Sequence, residues 1–144
     1  MGLLSMFGNK APQKKPTDDM LLLHTMLLMA GADGNIDDPE IETVEAFFSQ
    51  LPEFEDKDFS EVLGECKKMV SKYPNLKDSG KALSGFSNDN VKKKAFILAA
   101  DIALASGDVD EAEDEMLAAM QRILGVDDAL AQKVLEVLTL KYVK

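Results

Sequence analysis

The sequence predicts an all-α fold: a single-domain bundle of about seven helices with an internal pseudo-two-fold repeat around two buried central helices. Three observations carry this. Leu, Ala, Met, Glu, Asp and Lys dominate the chain, and no run of alternating β-branched residues appears. One stretch occurs twice, Leu21 to Pro52 and Lys94 to Gly125, with Gly34 matching Gly107, Ile36 matching Val109, Asp37 matching Asp110 and Glu40 matching Glu113 at one offset. Each copy opens with a segment apolar on nearly every face, Met20 to Ala30 and Ala95 to Ala105. A helix of that kind belongs in a core.

Composition narrows the function. At 144 residues the chain is long enough to bury a real core in one domain. A net charge of -10 opposes nucleic-acid binding, which needs a Lys/Arg surface, and suits a cation or a basic partner. The single cysteine, Cys66, excludes an internal disulfide and a cysteine-rich zinc site, and fits a reducing compartment. No apolar run reaches the ~18–20 residues that span a bilayer.

Residues 1–16 read as a tail, with residues 17–144 as the helical domain. The tail lacks the long apolar core of a signal peptide, and Met6 stands where a myristoylation pattern needs Ser or Thr. Leu3, Leu4, Met6 and Phe7, followed by Lys10, Lys14 and Lys15, suit either a weak membrane-surface contact or a disordered or loosely docked terminus.

Thr17 is positioned to cap the first helix, with Asp18 and Asp19 favoured in its first turn by the helix dipole. Asp37 starts the second helix, and Glu40 three residues on completes a capping box. Ile41, Val44, Phe48 and Leu51 share a face there, and Pro52 ends the helix. A third helix is expected from about Asp58 to Tyr73, with Phe59, Val62, Leu63, Cys66, Met69 and Val70 inward. Residues 75–86 read as a loop with one short helical turn. The next helix runs from about Asn90 to Ala105, and its apolar stretch is broken only by Asp101. Asp110 and Glu113 repeat the capping box, Leu117, Met120 and Leu124 face in, and Gly125 closes that helix. Asp127 or Asp128 caps the last helix, in which Leu130, Val134, Leu135, Leu138 and Leu140 recur at helical spacing.

The chemistry is concentrated in two acidic loops, Ala32 to Glu40 and Ala105 to Glu113. The first resembles the back half of an EF-hand loop. The front half does not, because Met29 and Gly31, or Ile102 and Leu104, stand where carboxylates should begin. If the loops converge, Asp33, Asp37, Glu40, Asp108, Asp110 and Glu113 could hold a hard divalent cation of calcium or magnesium type. The competing reading gives every member of the motif a purely structural role. Glycine ends one helix, aspartate caps the next, and glutamate completes the cap. Both roles can coexist, because a capping carboxylate keeps unused lone pairs.

The doubled motif, MAGADGNIDDPE and LASGDVDEAE, resembles the TerB-like family, a helical domain of tellurite-resistance type. The likeness runs from about Asp18 to Lys141. Ser106 departs from it, standing opposite Asp33 where the family often has aspartate. The resemblance implies a bundle of about seven helices, a bacterial cytoplasmic setting peripheral to the inner membrane face, and a part in stress response. It also implies divalent-ion binding through the loops and action in protein complexes.

Isolated residues point to structure. Asp101 is expected to pair with a lysine or mark a wet edge rather than serve as a ligand, His24 to sit hydrogen-bonded in the core or at its edge, Cys66 and the methionines to pack, and Lys92, Lys93 and Lys94 to form a solvated first turn, with docking of an acidic partner as the alternative. No nucleophile–base set is visible. A hydrolase using paired carboxylates would need a cleft that so small a bundle leaves little room for. The expectation is a non-enzymatic module that binds a cation, a protein partner or both. Its rival is a metal-independent scaffold in which the loops are only caps and an apolar groove lies beside the central pair.

Overall fold

The computed structural model describes residues 16–34, 36–75, 77–105, 107 and 109–144. Among them are six α-helices: α1 (Asp18–Ala30), α2 (Asp38–Gln50), α3 (Phe59–Val70), α4 (Asp89–Ala105), α5 (Glu111–Leu124) and α6 (Asp128–Lys141). Two 3-10 segments, Pro52–Phe54 and Asp78–Gly85, complete the elements, and no strand occurs among the described residues. The tail expected over residues 1–16 lies outside the described residues except for Pro16.

α1 is the centre. The Met20 N–H donates to Thr17 Oγ1 at 3.3 Å, and Asp18 and Asp19 occupy the first turn. From Leu21 to Ala30 every residue is buried. Each leucine so buried contributes about 1.5–3 kcal/mol. Its two polar residues are accommodated by hydrogen bonds. Thr25 Oγ1 donates to the Leu21 carbonyl at 2.7 Å, and His24 Nε2 donates to the Ser79 carbonyl at 3.2 Å.

α4 is the principal neighbour of α1. α2, α3 and the Asp78–Gly85 segment pack on α1, α6 packs on α4, and α5 bridges α4, α1 and the 3-10 segment. The two apolar helices therefore do form a shared spine.

Several details differ from the sequence reading. α3 ends at Val70, short of the expected Tyr73. Tyr73 precedes Pro74, whose ring disfavours helical backbone before it. Pro52 ends α2 and also opens a 3-10 turn that buries Phe54 against Phe48, their ring centroids 4.1 Å apart. Residues 78–85 carry more structure than a loop with one turn, and bury Ser79, Gly80 and Leu83. α4 is not buried all round. Ile97 is 40% exposed and stands one turn from Lys93 and from Asp101, so these three form a wet edge. Lys94, expected in a solvated run, is half-buried and paired with Glu53. Leu140 is 72% exposed. It follows the buried Leu138 by two residues, which turns it to the opposite face.

Asp101 closes that wet edge. Lys141 Nζ pairs with its carboxylate at 2.9 Å and the Tyr142 hydroxyl donates to it, tying the end of α6 to α4. The hydrogen bond to Asp101 holds the Lys141 pKa above its ordinary value.

Candidate functional site: the cavity between the acidic loops

Both loops are built alike. Gly34 has φ 99° and Gly107 has φ 95°, a region that side chains with a Cβ rarely enter. α1 itself ends three residues before the motif glycine, on Gly31, whose φ is -101°. Gly34 instead reverses the chain after the helix, donating its N–H to the Gly31 carbonyl at 2.9 Å.

Each second helix then opens with a reciprocal cap. The Glu40 N–H donates to Asp37 Oδ1 at 2.9 Å while the Asp37 N–H donates to Glu40 Oε1 at 2.9 Å. In the second copy the Glu113 N–H donates to Asp110 Oδ1 at 2.7 Å and the Asp110 N–H donates to Glu113 Oε1 at 3.2 Å. The capping role expected of these four residues is thus present in full.

The glutamates have a second surrounding. Glu40 and Glu113 line one cavity of about 160 Å³, together with Ala30, Thr43, Ile102 and Ala105. They stand far apart in the chain, so it is the pairing of α1 with α4 that places them on shared walls. Burial pushes both carboxyls above their ordinary value. The charges of Asp37 and Asp33 raise Glu40 further, and those of Asp110, Glu40 and Asp33 raise Glu113 further. Negative charge is therefore crowded at this cavity.

The remaining candidates lie elsewhere. Asp33, Asp37 and Asp110 are exposed and do not line the cavity, although Asp33 is close enough for both glutamates to feel its charge. Asp108 lies outside the described residues. Among the described residues no group of three or more His, Cys, Asp or Glu side chains is gathered as a metal cage. Thr43 is a wall residue that the motif does not include. Its position three residues after Glu40 on α2, one turn along the same face, is the signal that could have found it.

Other surfaces are open as well. An apolar groove of about 390 Å³ runs beside α1 and is lined by Leu27, Ile36, Ile41, Leu63, Cys66, Lys67 and Val70. On α6, Val137 and Leu140 face outward. No helix among the described residues is long and apolar enough to cross a membrane.

The family model described as "Tellurite resistance protein TerB" matches residues 20–135. No curated protein and no solved structure matches the chain. The match takes in both central helices, both loops and both capping boxes, and on it the chain belongs to the TerB family.

Proposed function

We propose that this TerB-family chain is a non-enzymatic module of stress response that binds a divalent cation between its two acidic loops. The observation that carries this reading is the convergence of Glu40 and Glu113 on one cavity, with their carboxyls raised by burial and by neighbouring negative charge. A cation is the ligand that relieves such crowding.

The cavity also favours one kind of cation. Calcium takes six to eight oxygens, roughly, and a dedicated cage supplies most of them. Two carboxylates and the Thr43 hydroxyl supply fewer. Magnesium keeps several of its waters and needs only one or two carboxylates. A cavity of about 160 Å³ has room for an ion with waters of ~30 Å³ each. Glu40 and Glu113 would be the direct ligands, with Asp33, Asp37, Asp108 and Asp110 supplying negative potential or contacts through water.

Calorimetric titration with magnesium, calcium, manganese and zinc tests this. Saturable binding of a hard cation is expected, and it should weaken when Asp33, Asp37 and Asp110 are changed to alanine. No binding, or undiminished binding, rejects the cation site.

A metal-independent interaction module is the second reading. It is supported by the outward Val137 and Leu140 of α6, an apolar pair of a kind that suits a protein partner. Partner capture that persists in excess chelator and is lost in Val137→Ser/Leu140→Ser would favour it over the first.

A further inference from the structure

The groove beside α1 is apolar except for Lys67 and is walled by α1, α2 and α3. Its α3 wall reaches the start of α1, because Cys66 Sγ donates to the Met20 carbonyl at 3.4 Å. The chain enters α1 at that same end, through Pro16 and the cap Thr17. What precedes it in sequence is complementary to the groove. Leu3, Leu4, Met6 and Phe7 are apolar, and Leu3 and Phe7 stand at helical i, i+4 spacing.

Length permits the contact. Residues 8–16 can span up to about 30 Å when extended. From Met20 to Leu27 the helix rises only about 10 Å. Charge favours it as well. Residues 1–16 carry Lys10, Lys14 and Lys15 and no acidic residue, whereas the five carboxylates of Asp37, Asp38, Glu40, Glu42 and Glu65 outnumber Lys67 and Lys68 at or beside the lining positions in sequence. A tethered segment acts at an effective concentration of roughly millimolar, so weak burial suffices to hold it.

We propose that Leu3, Leu4 and Phe7 of this chain dock in cis into the groove lined by Leu27, Ile36, Ile41, Leu63, Cys66 and Val70. The apolar residues fill the groove and the lysines lie toward the acidic start of α2. Docking covers Ile36, the residue that leads into the Asp37 cap.

The chain has no tryptophan, so Phe7→Trp in the full-length protein is a clean reporter. Its emission is expected to be blue-shifted relative to the same protein in denaturing urea and unchanged on dilution. Adding Leu63→Glu is expected to return the emission to the urea value while circular dichroism keeps its helical signal. Four results overturn the proposal: emission already at the urea value, a blue shift that survives Leu63→Glu, a shift lost on dilution (a second copy in trans), or a shift seen only with phosphatidylserine vesicles. Should Leu63→Glu unfold the protein, a nitroxide on Ser5→Cys in a Cys66→Ser background decides. Selective broadening of the Ile36, Ile41 and Leu63 methyl resonances supports docking, and its absence overturns it.

Discussion

Laid on each other at the offset that aligns Gly34 with Gly107, the two helix–loop–helix copies agree at their caps and disagree along their first helices. His24 falls opposite Ile97 and Leu28 opposite Asp101. The first pair member is fully buried in each case, while Ile97 is exposed and Asp101 sits on a wet edge. The cause is what lies on top. In the first copy the Asp78–Gly85 segment covers this stripe, with Ser79 accepting from His24 and Gly80 beside Leu28. In the second copy the end of α6 reaches Asp101, through Lys141 and Tyr142, and Ile97 stays exposed. Local chemistry has kept the caps alike, and long-range packing has made the stripes differ.

Mutation of matched positions should expose that asymmetry most strongly in the core. Leu28→Ala is expected to cost about 2–5 kcal/mol, because it empties a fully enclosed site. Ile97→Ala should cost under about 1 kcal/mol, since its side chain is already partly in water. Urea denaturation curves measure both. Equal losses would mean that the Asp78–Gly85 segment does not seal the first copy.

His24 supplies the next largest effect. Burial lowers its pKa to about 4, and its Nδ1 has no hydrogen-bond partner among the described residues. The folded state therefore keeps it neutral while the unfolded chain protonates near 6.5. Between those values the unfolded chain binds more protons, so stability falls as pH drops from 6.5 toward 4, by about 3 kcal/mol over the window. The raised carboxyls of Glu40 and Glu113 work the other way, since they favour the folded state when protonated and lose that contribution as pH rises. His24→Leu should flatten the acid limb of a stability–pH profile. An unchanged limb would place the acid sensitivity elsewhere.

These positions also show what a sequence discloses. The caps were legible because Asp37 with Glu40, and Asp110 with Glu113, interact within three residues of each other. The spine was legible because Leu21 to Ala30 admits no solvent-facing side. The wet edge of α4 was not. Ile97 sits within an unbroken apolar run, and its exposure depends on which distant segment covers it. Asp101 was the one local sign of that edge. The outward turn of Leu140 was hidden likewise, since it and Leu138 stand on opposite faces of α6 and only long-range packing decides which face meets the core. The shared cavity of Glu40 and Glu113 is a product of the α1–α4 pairing, and no local pattern encodes it.

Smaller effects concern what ties each copy down. Asp101→Asn removes the charge that holds Lys141 and Tyr142, and should cost about 1–2 kcal/mol, with fraying at the end of α6 visible by hydrogen exchange. Asp37→Ala and Asp110→Ala should each cost about 1 kcal/mol, and equally, because the two caps share one geometry. A marked inequality in thermal denaturation would show that one of these aspartates has work beyond capping.

The measurement that bears most directly on the cavity is thermal unfolding with and without magnesium, comparing the wild-type chain with Glu40→Gln/Glu113→Gln. Glutamine can still complete a capping box but brings no charge. A cation held by the two glutamates requires a wild-type Tm that climbs with magnesium concentration, as for any ligand that binds only the folded state. It also requires a variant that is as stable or more so without the cation, and whose Tm no longer responds to it. The same magnesium-dependent rise in both proteins would contradict a cation site at Glu40 and Glu113.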